Sequence, residues 1–544
     1  MEGKRSVSLT GSWDTRISRR VLLRTGGSLA AGAVLLGRTS PARSAPPFNA
    51  DEPFSLGVAS GDPTPDGFVL WTRLLPEGAP LDGSALKQEP YGVRYEVAAD
   101  EGFTQIVRRG SEQALWEEAH TVHAEIAGLE PNRWYWYRFK WGNTGLSAVG
   151  RTRTAPALGA DVPGFRFAFA SCQNYAGGYY GAYEQMAAEE LDLVVHLGDY
   201  IYEGIRPQAP FVQARLDEVQ PAYDCLSLSD YRTRHALYRS DDQLQLAHHR
   251  FPWLATWDDH EVANNYAGLV MDPEVPLLDA KLRRAAAYLA YWEHQPLSRS
   301  RKPVDENMPI FRRAFWGNLA TFHVIDTRQY RSDQIAPCAQ GERLPSGYCP
   351  PAFDDQRTML GAEQEDWLVK GLQQTSSGWN VIANQVGFAP EDLQLNSAVK
   401  RFNPDSWDGY AYSRKQLLDV IAAQAAKNTV VITGDKHYSS VRNVPPNEVD
   451  FLDQPIATEF IGTSISSGGQ VDAPGPQPTP DNPHHLWKDL RRGYVRVELD
   501  PTTWHADYRL VKSVVEPKTS SWTESSWDVT NGLPGARRTD VPAL

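Results

Sequence analysis

A recurring unit after residue 164 constrains this chain most: a short, nearly continuous apolar run that breaks off into residues able to bind a cation. The runs are 165–170, 193–197, 251–256, 322–325, 381–383 and 429–433. Runs this short, without polar alternation, belong to strands covered on both faces. Helical stretches lie between several of them, at 180–190, 280–294, 363–374 and 413–427. The pattern predicts a layered α/β or α+β catalytic domain over 164–512, followed by a tail at 513–544. The charged loops at 204–230 and 331–355 are too long to be simple connections, and loops of that length carry function or a lid.

The residues directly after each run carry the chemistry. The first three runs lead into Ser171-Cys172-Gln173-Asn174, Gly198-Asp199-Tyr200-Ile201-Tyr202 and Trp257-Asp258-Asp259-His260-Glu261. The last three lead into Asp326-Thr327-Arg328, Asn384-Gln385 and Gly434-Asp435-Lys436-His437. Sheets of this kind bind ligands outside the carboxyl ends of their strands, so the six ends are expected to converge on one pocket. Asp199 and Tyr202, three apart, can both turn toward one ion, and Gly198 permits close backbone approach. Asp435 and His437, two apart, project to one side of an extended chain and can serve one ion or bridge two. Cys172 offers a thiolate. Thiolate, phenolate, carboxylate and imidazole together favour iron for a first metal, and an oxygen-rich neighbour built from Asp199, Asp259 and Asp435 would accept calcium. Tyr202 also has a plain reading as a packing aromatic, His260 as a partner of a neighbouring carboxylate, and Glu261 as a cap or salt-bridge residue. Asn174, Arg206 and Arg328 are candidate contacts to phosphate oxygens. His248-His249 precedes its run and is left out of the site.

The formal net charge of −13 and pI near 5.5 argue against an electrostatic nucleic-acid footprint, which needs a basic face. At 544 residues the chain exceeds one core, and two folded domains are expected. The first 44 residues read as a twin-arginine export signal. Ser18-Arg19-Arg20-Val21-Leu22-Leu23 precedes a mildly apolar stretch too short and Gly/Ala-rich for a permanent span, and Ala42-Arg43-Ser44 supplies a cleavage pattern. The expected location is therefore outside the cytoplasm, reached through the twin-arginine machinery, without a permanent membrane anchor. That segment holds eight basic and two acidic residues, so its removal makes the charge −19. In an exported chain Cys338 and Cys349, bracketing a polar loop, suit a disulfide.

Residues 50–157 show short alternating strands at 68–73, 92–97 and 134–140. They predict a small β-sandwich of scaffolding or lid role. Leu129-Glu130-Pro131 before the last strand resembles the corner of fibronectin type III domains.

Taken together, Ser171 to Asn174, His196-Leu197-Gly198-Asp199-Tyr200-Ile201-Tyr202-Glu203, Trp257 to Val262 with Asn264-Asn265-Tyr266, Trp407-Asp408-Gly409-Tyr410 and Gly434 to His437 closely resemble the PhoD-like alkaline phosphatases and phosphodiesterases. Gly57-Val58-Ala59-Ser60-Gly61-Asp62-Pro63 in the N-terminal region is similar too, and purple acid phosphatases share the Gly198 to Tyr202 element. The resemblance implies a four-layer metallophosphatase sandwich binding one ferric iron and calcium. By analogy, iron would take Cys172, Asp199, Tyr202 and His437. Calcium would share Asp199 and use Asp435 with a group from 258–265, where Asp258, Asp259, Asn264 and Asn265 all compete.

The expected reaction is in-line attack of a metal-bound hydroxide on a phosphate ester, small, lipid or polymeric, with His260 as proton donor. Phosphomonoesterase, phosphodiesterase and phospholipase D-type activities all fit. Two rivals predict different outcomes: a non-catalytic extracellular binding protein would hold metal without hydrolysis, and a Cys172 nucleophile would lose activity on alkylation while keeping metal.

Overall fold

The alternation within each run decides the layering. In the computed structural model, which describes residues 52–540 apart from 206–210, 272–275, 337, 398–399, 424–427, 449 and 469–479, Phe165, Phe167 and Phe169 share one face of their sheet with Leu193, Val195 and Leu197. They meet Phe322, Val381, Val430 and Ile432 of a second sheet. Their neighbours Ala168, Ala170 and Val194 point the other way, into a layer with Met186, Tyr288 and Trp292 from helices Gly181–Ala187 and Leu277–His294. Beyond the second sheet, Ile382 and Val431 pack with Leu368, Leu372, Leu417 and Ile421 of helices Ala362–Gln374 and Ala411–Ala423. Each large apolar side chain so buried contributes about 1.5–3 kcal/mol relative to exposure. The expected sandwich of helix, sheet, sheet and helix is the observed architecture.

Among the described residues the first sheet has ten strands, in the order Leu533–Arg538, Ser521–Thr530, Thr503–Val511, Gly493–Leu499, Phe165–Ala170, Leu193–Leu197, Pro252–Thr256, Val58–Thr64, Gly67–Arg73 and Thr121–Ile126. The second has seven, with Ala320–Val324, Trp379–Asn384, Thr429–Thr433 and Ala457–Ile461 parallel at its centre. Phe165–Ala170, Leu193–Leu197 and Pro252–Thr256 are parallel neighbours, with His196 opposite both Ala170 and Ala255. Their carboxyl ends therefore open at one height. The two sheets close on each other there: a Cβ on Gly434 would stand 2.8 Å from Ser171 Oγ, and Ser171 bridges to Ser464.

The N-terminal strands form the expected sandwich, around Val58, Phe68, Val93, Val97, Tyr135, Tyr137 and Phe139. Tyr135 Oη accepts the Glu130 N–H at 3.0 Å, in the manner of a tyrosine corner. One sheet of this sandwich continues without a break into the ten-stranded sheet, because Val58–Thr64 pairs with Pro252–Thr256. Of the expected tail 513–544, the described residues to 540 instead supply the edge strand Leu533–Arg538 and its neighbour Ser521–Thr530, whose alternating inward residues include Trp527 and Val529. Cys338 and Cys349 form a disulfide, and Cys172 and Cys225 are free and buried. The arginine pair at 19–20 lies outside the described residues. No helix among the described residues is long and apolar enough to cross a membrane.

Candidate metal centre

As the chain leaves the strands it turns sharply. Cys172, Asp199, Asn265, Asp435 and His437 all have left-handed backbones, with φ of 58°, 55°, 54°, 61° and 52°. Such conformations cost of order 1–3 kcal/mol each in a non-glycine residue and gather where function requires them. Gly198 has φ of 108°, and a Cβ there would stand 2.3 Å from the Asp258 nitrogen, so only glycine fits. Beyond the ladder the first two ends stay paired, Cys172 N–H to Gly198 C=O at 3.1 Å and Gln173 N–H to Asp199 C=O at 3.0 Å.

These turns bring together side chains from both sheets. The Tyr202 hydroxyl donates to Asp199 Oδ2 at 2.9 Å, lies 3.0 Å from His437 Nε2 and accepts from Ser467 Oγ at 2.8 Å. Cys172, Asp199 and His437 each offer a ligand atom within 4.8 Å of the others. So do Asp199, Asp259 and His260, and so do Asp258, Asp259 and Asp435. His437 Nδ1 lies 2.7 Å from the Gly468 carbonyl, which makes Nδ1 the donor and turns the Nε2 lone pair toward the Tyr202 hydroxyl.

Four of the six strand ends meet here. The other two form the wall behind. Asp326 accepts from Trp257 Nε1 and from the N–H groups of Arg328 and Gln329. Asn384 and Gln385 spend their amides on Trp407, Thr433, Thr327 and Ile325. Arg328, expected to contact phosphate, is fully buried and committed to carboxylates: Asp258, Asp259 at 3.3 Å and Asp405 at 2.9 Å. It holds the acidic wall in place from behind, out of reach of a substrate. Arg331 shares Asp405. Asn265 donates its backbone N–H to Asp259 Oδ2 at 2.6 Å, and none of its described hydrogen bonds uses its side-chain amide. Arg206 lies outside the described residues. His248, left out of the site, stacks on Trp253 and bonds the Tyr200 hydroxyl at 2.9 Å.

An open pocket of about 340 Å³ leads to the cluster, lined by Asn174, Tyr202, Glu203, His260, Asn264 and His437 among others. Asn174 Oδ1 caps its own turn by accepting from Ala176 and Gly177, and none of its described hydrogen bonds uses the amide nitrogen. His260 bonds Glu203 through Nδ1 at 2.7 Å, while the other Glu203 oxygen takes the Asn264 N–H at 2.7 Å. Sequence reasoning gave Glu203 and Ser467 no role. Glu203, one residue past Tyr202, was readable as a partner for a neighbouring imidazole; Ser467 follows no apolar run and carried no signal.

The electrostatics fit a cation. Burial, together with Asp259 and Asp435, pushes Asp199 up to about 7, and burial with Asp405 pushes Asp435 up to about 6. Burial and Asp199 raise both the Cys172 thiol and the Tyr202 phenol well above their ordinary ranges, so their ionisation needs a positive neighbour. Burial alone would raise Asp259, yet Arg328 and His260 outweigh it. Burial alone would lower His260, but Glu203, Asp259 and Asp199 hold it well above its usual value. Asp199 Oδ1 and Asp258 Oδ2 are buried without a hydrogen-bond partner. Orphaned carboxylate oxygens facing a mixed sulfur, nitrogen and oxygen donor set are what a bound metal would satisfy.

Comparison with known proteins agrees with this geometry. The PhoD-like phosphatase model matches residues 167–508, and its N-terminal domain model matches 39–156. Alkaline phosphatase D of Bacillus subtilis (strain 168) is 45% identical over 489 residues, covering 89% of this chain and 82% of that protein. A solved structure of PhoD superposes with a TM-score of 0.83 at 44% identity, covering 92% of this chain and 94% of that one. Purple acid phosphatase PPD1 from yellow lupin (Lupinus luteus) shares the fold, with a TM-score of 0.52 at 13% identity, covering 87% of this chain and 73% of that one. The chain is therefore a member of the PhoD-like phosphatase family and a phosphoesterase.

Proposed function

We propose that this phosphoesterase holds ferric iron through Cys172, Asp199, Tyr202 and His437, and calcium through Asp199, Asp435 and the 258–265 segment, and that it hydrolyses phosphate monoesters and diesters outside the cytoplasm. The observation that carries the reading is the Tyr202 hydroxyl within hydrogen-bond reach of both Asp199 and His437, in one group with Cys172. Within the calcium segment, Asp259 is favoured over Asp258 because it belongs to two of the ligand groups, one with Asp199 and His260 and one with Asp258 and Asp435. When bound, the cations supply charge neutralisation at the phosphoryl oxygens and acidify a coordinated water.

The chain's own residues do the rest. His260, a pocket-lining imidazole with Nδ1 tied to Glu203, has Nε2 to give a proton to the leaving oxygen. Glu203, to which it is hydrogen-bonded, favours its protonated form, as a proton donor requires. Asn174, which lines the pocket and whose described hydrogen bonds leave its amide nitrogen unused, orients a phosphoryl oxygen. Wall position and openness suit an ester whose alcohol portion extends outward, and the twin-arginine sequence supports export of a folded, metal-loaded chain. Asp199→Ala is expected to abolish turnover of both a nitrophenyl monoester and a bis-nitrophenyl diester, and to lower bound metal. Full activity with an intact metal complement in that variant overturns the assignment.

A further inference from the structure

Glu261 lies among the backbone of the site rather than among its ligand atoms. Its Oε1 accepts the Tyr200 N–H at 2.5 Å, and its Oε2 accepts those of Asp199 at 3.1 Å and Asp258 at 2.8 Å. The residue is wholly buried, and among the described residues no lysine, arginine or histidine pairs with it. A buried carboxylate without a cationic partner is costly, and a simple turn or cap is served by one oxygen of a neutral serine or asparagine. The three donors explain why a carboxylate stands there. They come from two different strand ends, at the height where the ladder between Leu193–Leu197 and Pro252–Thr256 runs out at the pair Leu197 and Thr256. Beyond that pair the two chains leave the sheet, and Asp199 enters its left-handed turn at φ of 55°. The carboxylate continues the pairing where the sheet cannot.

We propose that Glu261 is a positioning residue for the metal centre. It clamps the Asp199 turn to the Asp258 turn, so that the Asp199 carboxylate and the Asp259 carboxylate, carried by separate strands, face one cation. The proposal rests on the reading of Asp199, Asp259 and Asp435 as metal ligands. Its chemistry is specific. Glu261→Gln keeps the shape but has one acceptor oxygen, so its NH₂ must face at least one N–H donor. Glu261→Asp keeps the charge but is one methylene short of the three donors.

The test compares the metal-loaded wild type, E261Q, E261D and D435N. The readouts are iron and calcium content, the rate of metal loss to a chelator, the visible spectrum, and thermal unfolding before and after stripping. Both Glu261 variants are expected to release metal about 10–100-fold faster and to lose most of the gap between loaded and stripped Tm. Stripped E261Q is expected to unfold within a few degrees of stripped wild type, because the amide keeps the shape of the side chain and still accepts from part of the donor set. A residue that only holds the fold gives the reverse: lower stripped Tm, unchanged metal release and an unchanged spectrum. That outcome, or failure of both variants to fold, overturns the proposal. Wild-type metal retention in D435N would instead overturn the ligand reading beneath it; loss in D435N with retention in E261Q and E261D sinks the clamp alone.

Discussion

The hydroxyl of Tyr202 lies 3.0 Å from Nε2 of His437, although 235 residues separate them. Tyr202 follows a strand of the ten-stranded sheet and His437 a strand of the seven-stranded one. The site thus spans the seam between the two sheets, and the packing of Phe167, Phe169, Val430 and Ile432 between them sets how closely its two halves approach.

Tyr202→Phe removes the oxygen from that seam and leaves the ring against His260, whose centroid is 4.1 Å away. Iron content is expected to fall sharply and any phenolate absorption to vanish, while the metal-stripped variant keeps a Tm within a few degrees of wild type. Elemental analysis, a visible spectrum and a thermal melt check it.

Arg328 is the sole guanidinium described as pairing with both Asp258 and Asp259, and it also holds Asp405. Arg328→Met would leave buried carboxylates without their counter-charge, a loss of about 3–5 kcal/mol. Arg328→Lys is expected to rescue little of it, since one ammonium cannot reproduce the fork. Urea unfolding of the variants reads the difference, and a loss under about 1 kcal/mol contradicts the bracing role.

The raised carboxyls of Asp199, at about 7, and Asp435, at about 6, give the metal-free protein a definite pH response. Their unfolded values lie near 3.8, so between about pH 4 and 7 the native state binds more protons than the unfolded state. Their contribution to stability is present at low pH and is lost as pH rises through that window. Stripped Asp199→Asn is therefore expected to gain in Tm relative to stripped wild type as pH rises from 4 to 7. Bound cations, which favour the ionised carboxylates, are expected to reverse the trend in the loaded enzyme.

His260→Ala tests proton donation. For an ester with a basic alkoxide leaving group, kcat is expected to fall about 10²–10⁴-fold. For a nitrophenyl ester, whose leaving group needs no proton, the fall is expected to be much smaller. Equal losses on both would contradict a general-acid role.

The layers were legible because strands buried on both faces must be apolar at every position, as at Val194, Val195, Val430 and Val431. The strand-end residues were legible for a related reason: Asp199 or Asp435 directly after such a run has no ordinary place in a core. The features that stayed hidden depend on contacts distant in sequence. Arg328 sits in the same kind of position as Asp199, yet turns back into the acidic wall because Asp405 waits there 77 residues later. Ser467 reaches Tyr202 from a loop with no periodicity, 265 residues away. Pairing between distant strands was equally unreadable: Val58–Thr64 looks like any sandwich strand until its partner Pro252–Thr256 is known.

Elemental analysis of purified, active enzyme, with its visible absorption spectrum, tests the account most directly. The predicted result is iron with calcium and a charge-transfer band that disappears in Tyr202→Phe. A colourless, iron-free preparation with full phosphoesterase activity would contradict it.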